Sequence, residues 1–148
     1  MGLRGSLPLL KDFCHQLYNI ITMKTEKIYT QHEENKDWMN DLLFYRDEIA
    51  IMKNRLAEIT NKNTSKEILA QVEHFQNQFI LQADTIDNLK HEINLSNDAI
   101  SLEIRQNDVA IERRRMEDHA VLREKIVYFR KIFSFLKTEF NTFLSKWM

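Results

Sequence analysis

Trp38, Leu42, Tyr45, Ile49, Met52, Leu56 and Ile59 follow one another at alternating spacings of four and three residues, with mostly polar residues between them. A seven-residue apolar repeat is the pattern of a long helix that buries one stripe against neighbouring helices. It predicts a first helix over 25–61, with Thr25 as N-cap. The stretch "NKNTSKE" ends it, because Asn tolerates the left-handed C-terminal position that Gly usually fills. Thr64 and Glu67 then have the spacing of a capping box. The helix they open, 65–106, carries the seam Ile68, Val72, Phe75, Phe79, Gln82, Ile86, Leu89 and Ile93, with one polar member. So short a link makes the two helices antiparallel.

The third seam is the longest: His119, Leu122, Ile126, Phe129, Phe133, Leu136, Phe140, Phe143 and Trp147. Either "NLSND" or "RQND" can supply the turn before it. A turn at Asn107–Asp108 gives three helices of similar length, the last over 109–147, and leaves no long overhang. Arg105, Glu112 and Arg115 fall on seam positions near this turn, so that end of the bundle is expected to be more polar and more mobile than the aromatic end.

Composition strengthens the helical reading. Gly2, Gly5 and Pro8 are the only glycines and proline among 148 residues, so no strong helix breaker follows position 8. The expected fold is all-α: an up-down-up antiparallel bundle of three long, coiled-coil-like helices forming one domain over 23–148. Residues 1–22 are expected either as a leader or, through Leu9, Leu10, Phe13, Leu17 and Ile20, as a short fourth helix. Charged residues Arg130, Lys131, Lys137, Glu139 and Lys146 interrupt the aromatic C-terminal stretch on its other faces, so its rings are expected to face helices and not lipid. No apolar run reaches the length of a membrane span.

Charge and candidate chemistry narrow the function classes. A formal net charge of −1 supplies no field for nucleic acid or an anionic membrane. Cys14, the single cysteine, rules out an internal disulfide and fits a reducing, cytoplasmic setting. The five histidines form neither a His-x-x-x-His nor a Glu-x-x-His motif, so no metal, cofactor or catalytic residue is assigned. His119 is expected half-exposed at the bundle end, with a register-fixing seam histidine as the other reading. Arg113, Arg114 and Arg115 are read as a solvated face paired with Glu117 and Asp118. "MGLRGS" fits the myristoylation pattern at Gly2, which alone carries the alternative of a peripheral membrane adaptor. A helical-bundle enzyme or small-molecule binder is the remaining alternative, and no motif points to it.

Apolar residues lie outside the seams as well. Val121, Tyr128, Ile132 and Phe135 form a second column on the last helix, and Leu43, Phe44 and Ile51 form one on the first. With Ile59 set level with Trp147, Phe44 falls level with Ile132, so the columns either meet in a wide core or serve an interface. Phe44, Ile51, Tyr128, Ile132 and Phe135 are therefore the candidate interface. The expected function is non-enzymatic, through contact with a protein partner or a second copy of the chain.

Overall fold

The computed structural model describes residues 6–106 and 108–148. They form three helices: α1 over Ser6–Lys62, α2 over Lys66–Gln106 and α3 over Val109–Trp147. No strand occurs among the described residues. Gly2 lies outside them. The chain falls into two compact units that divide between Glu34 and Asn35.

The N-terminal region corrects two expectations. Thr25 does not cap a helix; it lies within α1, and its Oγ1 donates to the carbonyl of Ile21 at 2.9 Å. Thr22 does the same to Tyr18 at 2.9 Å. With no glycine or proline after Pro8 to stop the backbone, a threonine hydroxyl bonds the carbonyl four residues back and the helix runs on. Leu9, Leu10, Phe13, Leu17 and Ile20 therefore belong to α1, and all five are exposed. Among the described residues they form part of one continuous helix and not a separate short one.

The second unit, from Asn35 onward, is the bundle. Cross-helix pairs give its topology. Arg46 pairs with Asp87 while Asn35 reaches Ser96 and Asn97, so residue numbers rise on α1 as they fall on α2. Arg130 pairs with Asp41 and Lys137 with Glu48, both at an offset of 89, so α1 and α3 run parallel. Lys125 with Glu92 and Phe143 with Phe75 set α3 antiparallel to α2. The helices run up, down and up. Each of these exposed ion pairs contributes at most about 1 kcal/mol, so they mark the register more than they hold it.

The seams supply the stability. Trp38, Leu42, Ile49, Met52, Leu56 and Ile59 of α1 are buried against the full apolar stripes of α2 and α3. Tyr45 lies partly buried, with its ring 5.4 Å from Phe129 and 4.6 Å from Phe133. At the far end, Phe75, Phe79, Phe140 and Phe143 form one cluster, with Phe79 and Phe140 edge to face at 5.2 Å. Edge-to-face rings place a positive edge on a negative face, which favours this geometry beyond simple burial. Gln82 is buried as the one polar member of its stretch.

Both turns form where the polar residues indicated, with one change of cap. Asp108 is extended (φ −98°, ψ 129°) and accepts from the Ala110 amide at 2.8 Å, as an N-cap does. At the first turn the cap is Ser65 and not Thr64: the Ile68 amide donates to Ser65 Oγ at 3.4 Å. Asn63 closes α1 through its amide and its Nδ2, each 3.1 Å from the Ile59 carbonyl. It takes up carbonyl capacity that the helix end leaves open.

Candidate interaction surface and buried polar layer

The candidate interface residues do not meet in a wide core. Tyr128 and Phe135 are each 67% exposed, Phe44 is 60% exposed and Ile51 is exposed, while Ile132 is half-buried. Tyr128 and Ile132 stand beside Gln82, Thr85 and Asn88 of α2, lining a groove of about 260 Å³ floored by Leu89 and Phe129. Ile51 instead borders the groove between α1 and α3, beside Met52, Lys137 and Phe140. Phe135 edges a shallow depression with Ser134, Thr138 and Thr142, all on α3. The predicted axial level was close, an offset of 88 against the observed 89. The columns nevertheless lie on different flanks, because axial level does not fix the direction in which a side chain leaves its helix.

The polar end of the bundle holds an arrangement that the apolar pattern did not reveal. Asn35 is fully buried, and its Nδ2 donates to Ser96 Oγ and to Asn97 Oδ1, each at 2.9 Å. Ser96 Oγ lies 3.4 Å from His119 Nδ1. The His119 ring is stacked on Trp38, centroids 4.9 Å apart and planes 24° from parallel. His119 is only 1% exposed, which corrects the expected half-exposed position and supports the register reading instead. The reason is that α3 starts at Val109 and buries Arg115 before it reaches His119, so the seam does not end at His119.

One layer further toward the turn, Arg115 and Glu103 form a buried ion pair. Arg115 Nε donates to Glu103 Oε2, and Nη2 lies 3.4 Å from Oε1. Arg115 Nη1 is buried with no hydrogen-bond partner, as is Asn35 Oδ1. The arginine run thus divides: Arg113 and Arg114 are exposed, whereas Arg115 points into the bundle. Sequence reasoning missed Glu103, Ser96 and Asn35, although all three sit on the heptad register if it is continued through polar residues. Ser96, Ile100 and Glu103 extend the α2 seam beyond Ile93, and Asn35 lies three residues before Trp38.

The Ser96–His119 pair does not assemble an acyl-transfer site. Both residues lie in mid-helix, where backbone amides are already bonded within the helix and none is available to stabilise an oxyanion. Among the described residues, no group of three or more His, Cys, Asp or Glu is placed to hold a metal ion. The layer's physical role is specificity. The cross-helix contacts of Asn35, Ser96, His119, Glu103 and Arg115 form in one register only, and slipping one helix would break them together. Asn35→Ala removes the donor to both Ser96 and Asn97. It is expected to destabilise the bundle by about 1 kcal/mol in urea unfolding, the net worth of a typical hydrogen bond, because Ser96 and Asn97 are only half-buried and water can replace the lost donor.

The fold and surface thus define an all-α three-helix bundle with a polar layer at one end and aromatic residues exposed on α3. The chain matches no family model, no curated protein sequence and no solved structure at a significant level.

Proposed function

We propose that this chain is a non-enzymatic, cytoplasmic interaction protein: a helical bundle that engages a protein partner, or another copy of itself, through the exposed aromatic column of α3. The observation that carries this reading is the exposure of Tyr128 and Phe135, two turns apart, on a helix whose heptad seam from Arg115 to Phe143 is already occupied by buried residues. Isolated exposed apolar residues are ordinary on a protein surface. A column of aromatic rings beside a groove is not. The groove between Tyr128, Ile132, Gln82 and Asn88 has an apolar floor and a polar rim, the composition of a pocket that receives one anchoring side chain from a partner. Phe44 and Ile51 of α1 offer a separate and smaller apolar surface. No helix of the described residues is long and apolar enough to cross a membrane. That fact, the lone Cys14 and the near-neutral charge support a cytoplasmic setting.

The test compares wild type with the Tyr128→Glu, Phe135→Glu double variant. Both side chains are exposed, so helicity by circular dichroism and the melting temperature should stay close to wild type. Affinity capture from the source cells should retain a protein that the variant loses, because each aromatic hot spot contributes on the order of 2 kcal/mol or more at an interface centre. Identical captured material and identical light scattering for the two proteins would rule this surface out. Unfolding of the variant would assign the rings to the core.

A further inference from the structure

The first unit carries an apolar face of its own. Counting back from Trp38 at the same alternating spacing gives Asn35, Gln31, Ile28, Lys24, Ile21, Leu17, Cys14 and Leu10. The heptad register of the bundle therefore continues without a skip to position 10. Leu10, Leu17 and Ile21 are exposed, and so are Phe13, Tyr18 and Ile20 on the flanks of the same face. The opposite face holds Asp12, His15, Gln16, Asn19 and Thr22. This is an amphipathic helix with its apolar side uncovered.

We propose that residues 9–23 of α1 are a homodimerisation segment, on which a second copy of the chain packs in parallel through Leu10, Cys14, Leu17 and Ile21. Three observations select this occupant. In heptad terms Leu10 and Leu17 are d positions, while Cys14 and Ile21 are a positions. Leucine at d with a β-branched residue at a, the pairing that Leu17 and Ile21 make, favours parallel two-stranded association, and Cys14 is a small apolar residue at the other a position. In that pairing the flanking Phe13 of one copy comes beside Tyr18 of the other, so the flanks are covered as well as the seam. Charge agrees: Lys11 and Asp12 are the only charged residues in 9–23, so two copies do not repel. The same neutrality gives an anionic lipid surface nothing to attract, where a membrane-surface helix would carry lysines and arginines on its polar face.

Area and preorganisation make the association feasible. Covering the exposed parts of Leu10, Phe13, Leu17, Ile20 and Ile21 on two copies removes on the order of 1,000 Å² from water, the lower bound for a specific interface. Fifteen residues alone would scarcely stay helical in water. Here they belong to a helix of 57 residues, so the nucleation and ordering costs are already met in each chain. The result is a concentration-dependent dimer, distinct from any contact made by the α3 column.

Cys14 provides the reporter, because an a position in a parallel pair brings the two thiols within disulfide reach. The full-length chain, kept reduced, is examined by sedimentation velocity over a dilution series, and then oxidised with diamide. The diazene accepts the two protons and two electrons of two Cys14 thiols as the disulfide forms. The expected result is a reversible dimer and a covalent dimer. Leu17→Glu with Ile21→Glu abolishes both while helicity persists, and Tyr128→Glu with Phe135→Glu leaves both intact. If the charged pair costs helicity, Leu17→Asn replaces it as a milder break of the seam. Orientation is read from Ile21→Cys in a Cys14→Ser background, which cross-links in a parallel pair and not in an antiparallel one centred on position 14. A monomer throughout the dilution series, a dimer that survives the Leu17 and Ile21 substitutions, or failure of the Ile21→Cys cross-link each overturns the proposal. So does sedimentation of the monomer with phosphatidylcholine or phosphatidylserine vesicles that the Leu17 and Ile21 substitutions eliminate, since that outcome assigns the face to lipid.

Discussion

Glu103→Ala is expected to cost about 3–5 kcal/mol of bundle stability, the largest loss from any single exchange outside the apolar core. The substitution removes the carboxylate from Arg115 and leaves a guanidinium that is 2% exposed. A charge so placed is shielded from water and has lost the carboxylate that balanced it, so the desolvation penalty that the pair had offset reappears. The pair itself is a poor source of net stability. Arg115 Nη1 already lacks a partner, so even the intact arrangement is only partly satisfied. Glu103→Leu combined with Arg115→Met is therefore expected to recover the loss and to reach or exceed wild-type stability. Urea unfolding followed by circular dichroism measures all three proteins. A Glu103→Ala loss below about 1 kcal/mol, in the range of surface ion pairs, would show that water reaches this layer and that the pair is not buried in solution.

Phe79→Ala is the second large effect, at about 3–5 kcal/mol. Phe79 is 0% exposed, and its ring touches both Phe75 and Phe140, so truncation opens a void between two helices that cannot close without shifting an α2–α3 seam. The cost combines the lost transfer of the ring with that of the residual cavity. Phe135→Ala is the matched control. It deletes the same side chain from a site two-thirds exposed to solvent and should change stability by no more than about 0.5 kcal/mol. Equal effects of the two exchanges would contradict the assignment of one phenylalanine to the core and the other to the surface.

The bundle was legible because its helices repeat one physical requirement many times. Ile68 to Ile93 and Leu122 to Phe143 each present an apolar residue at every seam position but Gln82, and all of them are buried. Reading failed where the requirement was met by polar residues. Asn35, Ser96 and Glu103 occupy seam positions, but they lie where the stripes turn polar at the end of the bundle, and a single polar residue such as Gln82 is bridged by runs of apolar seam residues on both sides whereas these are not. Their burial becomes intelligible only once each is seen to have a partner on another helix. His119 holds a seam position that reads as the edge for the same reason: the residues beyond it, Arg115 and Glu112, are charged and do not look like core. Thr25 misled in the opposite sense, since a threonine that suits an N-cap suits a helix interior almost as well when its hydroxyl can bond the carbonyl of Ile21.

The sequence by itself determined that the chain is helical, where α2 and α3 begin and end, and which stripe of each helix is buried. These follow from local chemistry: no glycine or proline after Pro8, cap residues at the turns, and a strict heptad period. It also came within one residue of the axial level of α3 against α1. The tertiary structure alone decided which flank of α3 faces α2 and which faces α1. A heptad stripe fixes the height of one helix against another, but it is symmetric about its own midline, so packing the third helix to its left or to its right satisfies the stripe equally well. The choice made here turns Lys137 and Arg130 toward α1 and Lys125 toward α2. It leaves Tyr128 and Phe135 in solvent on one side and Phe44 and Ile51 on another. Pairing the buried polar residues was a decision of the same kind, because Glu103 and Arg115 become partners only when two helices that turn back at Asp108 bring them face to face.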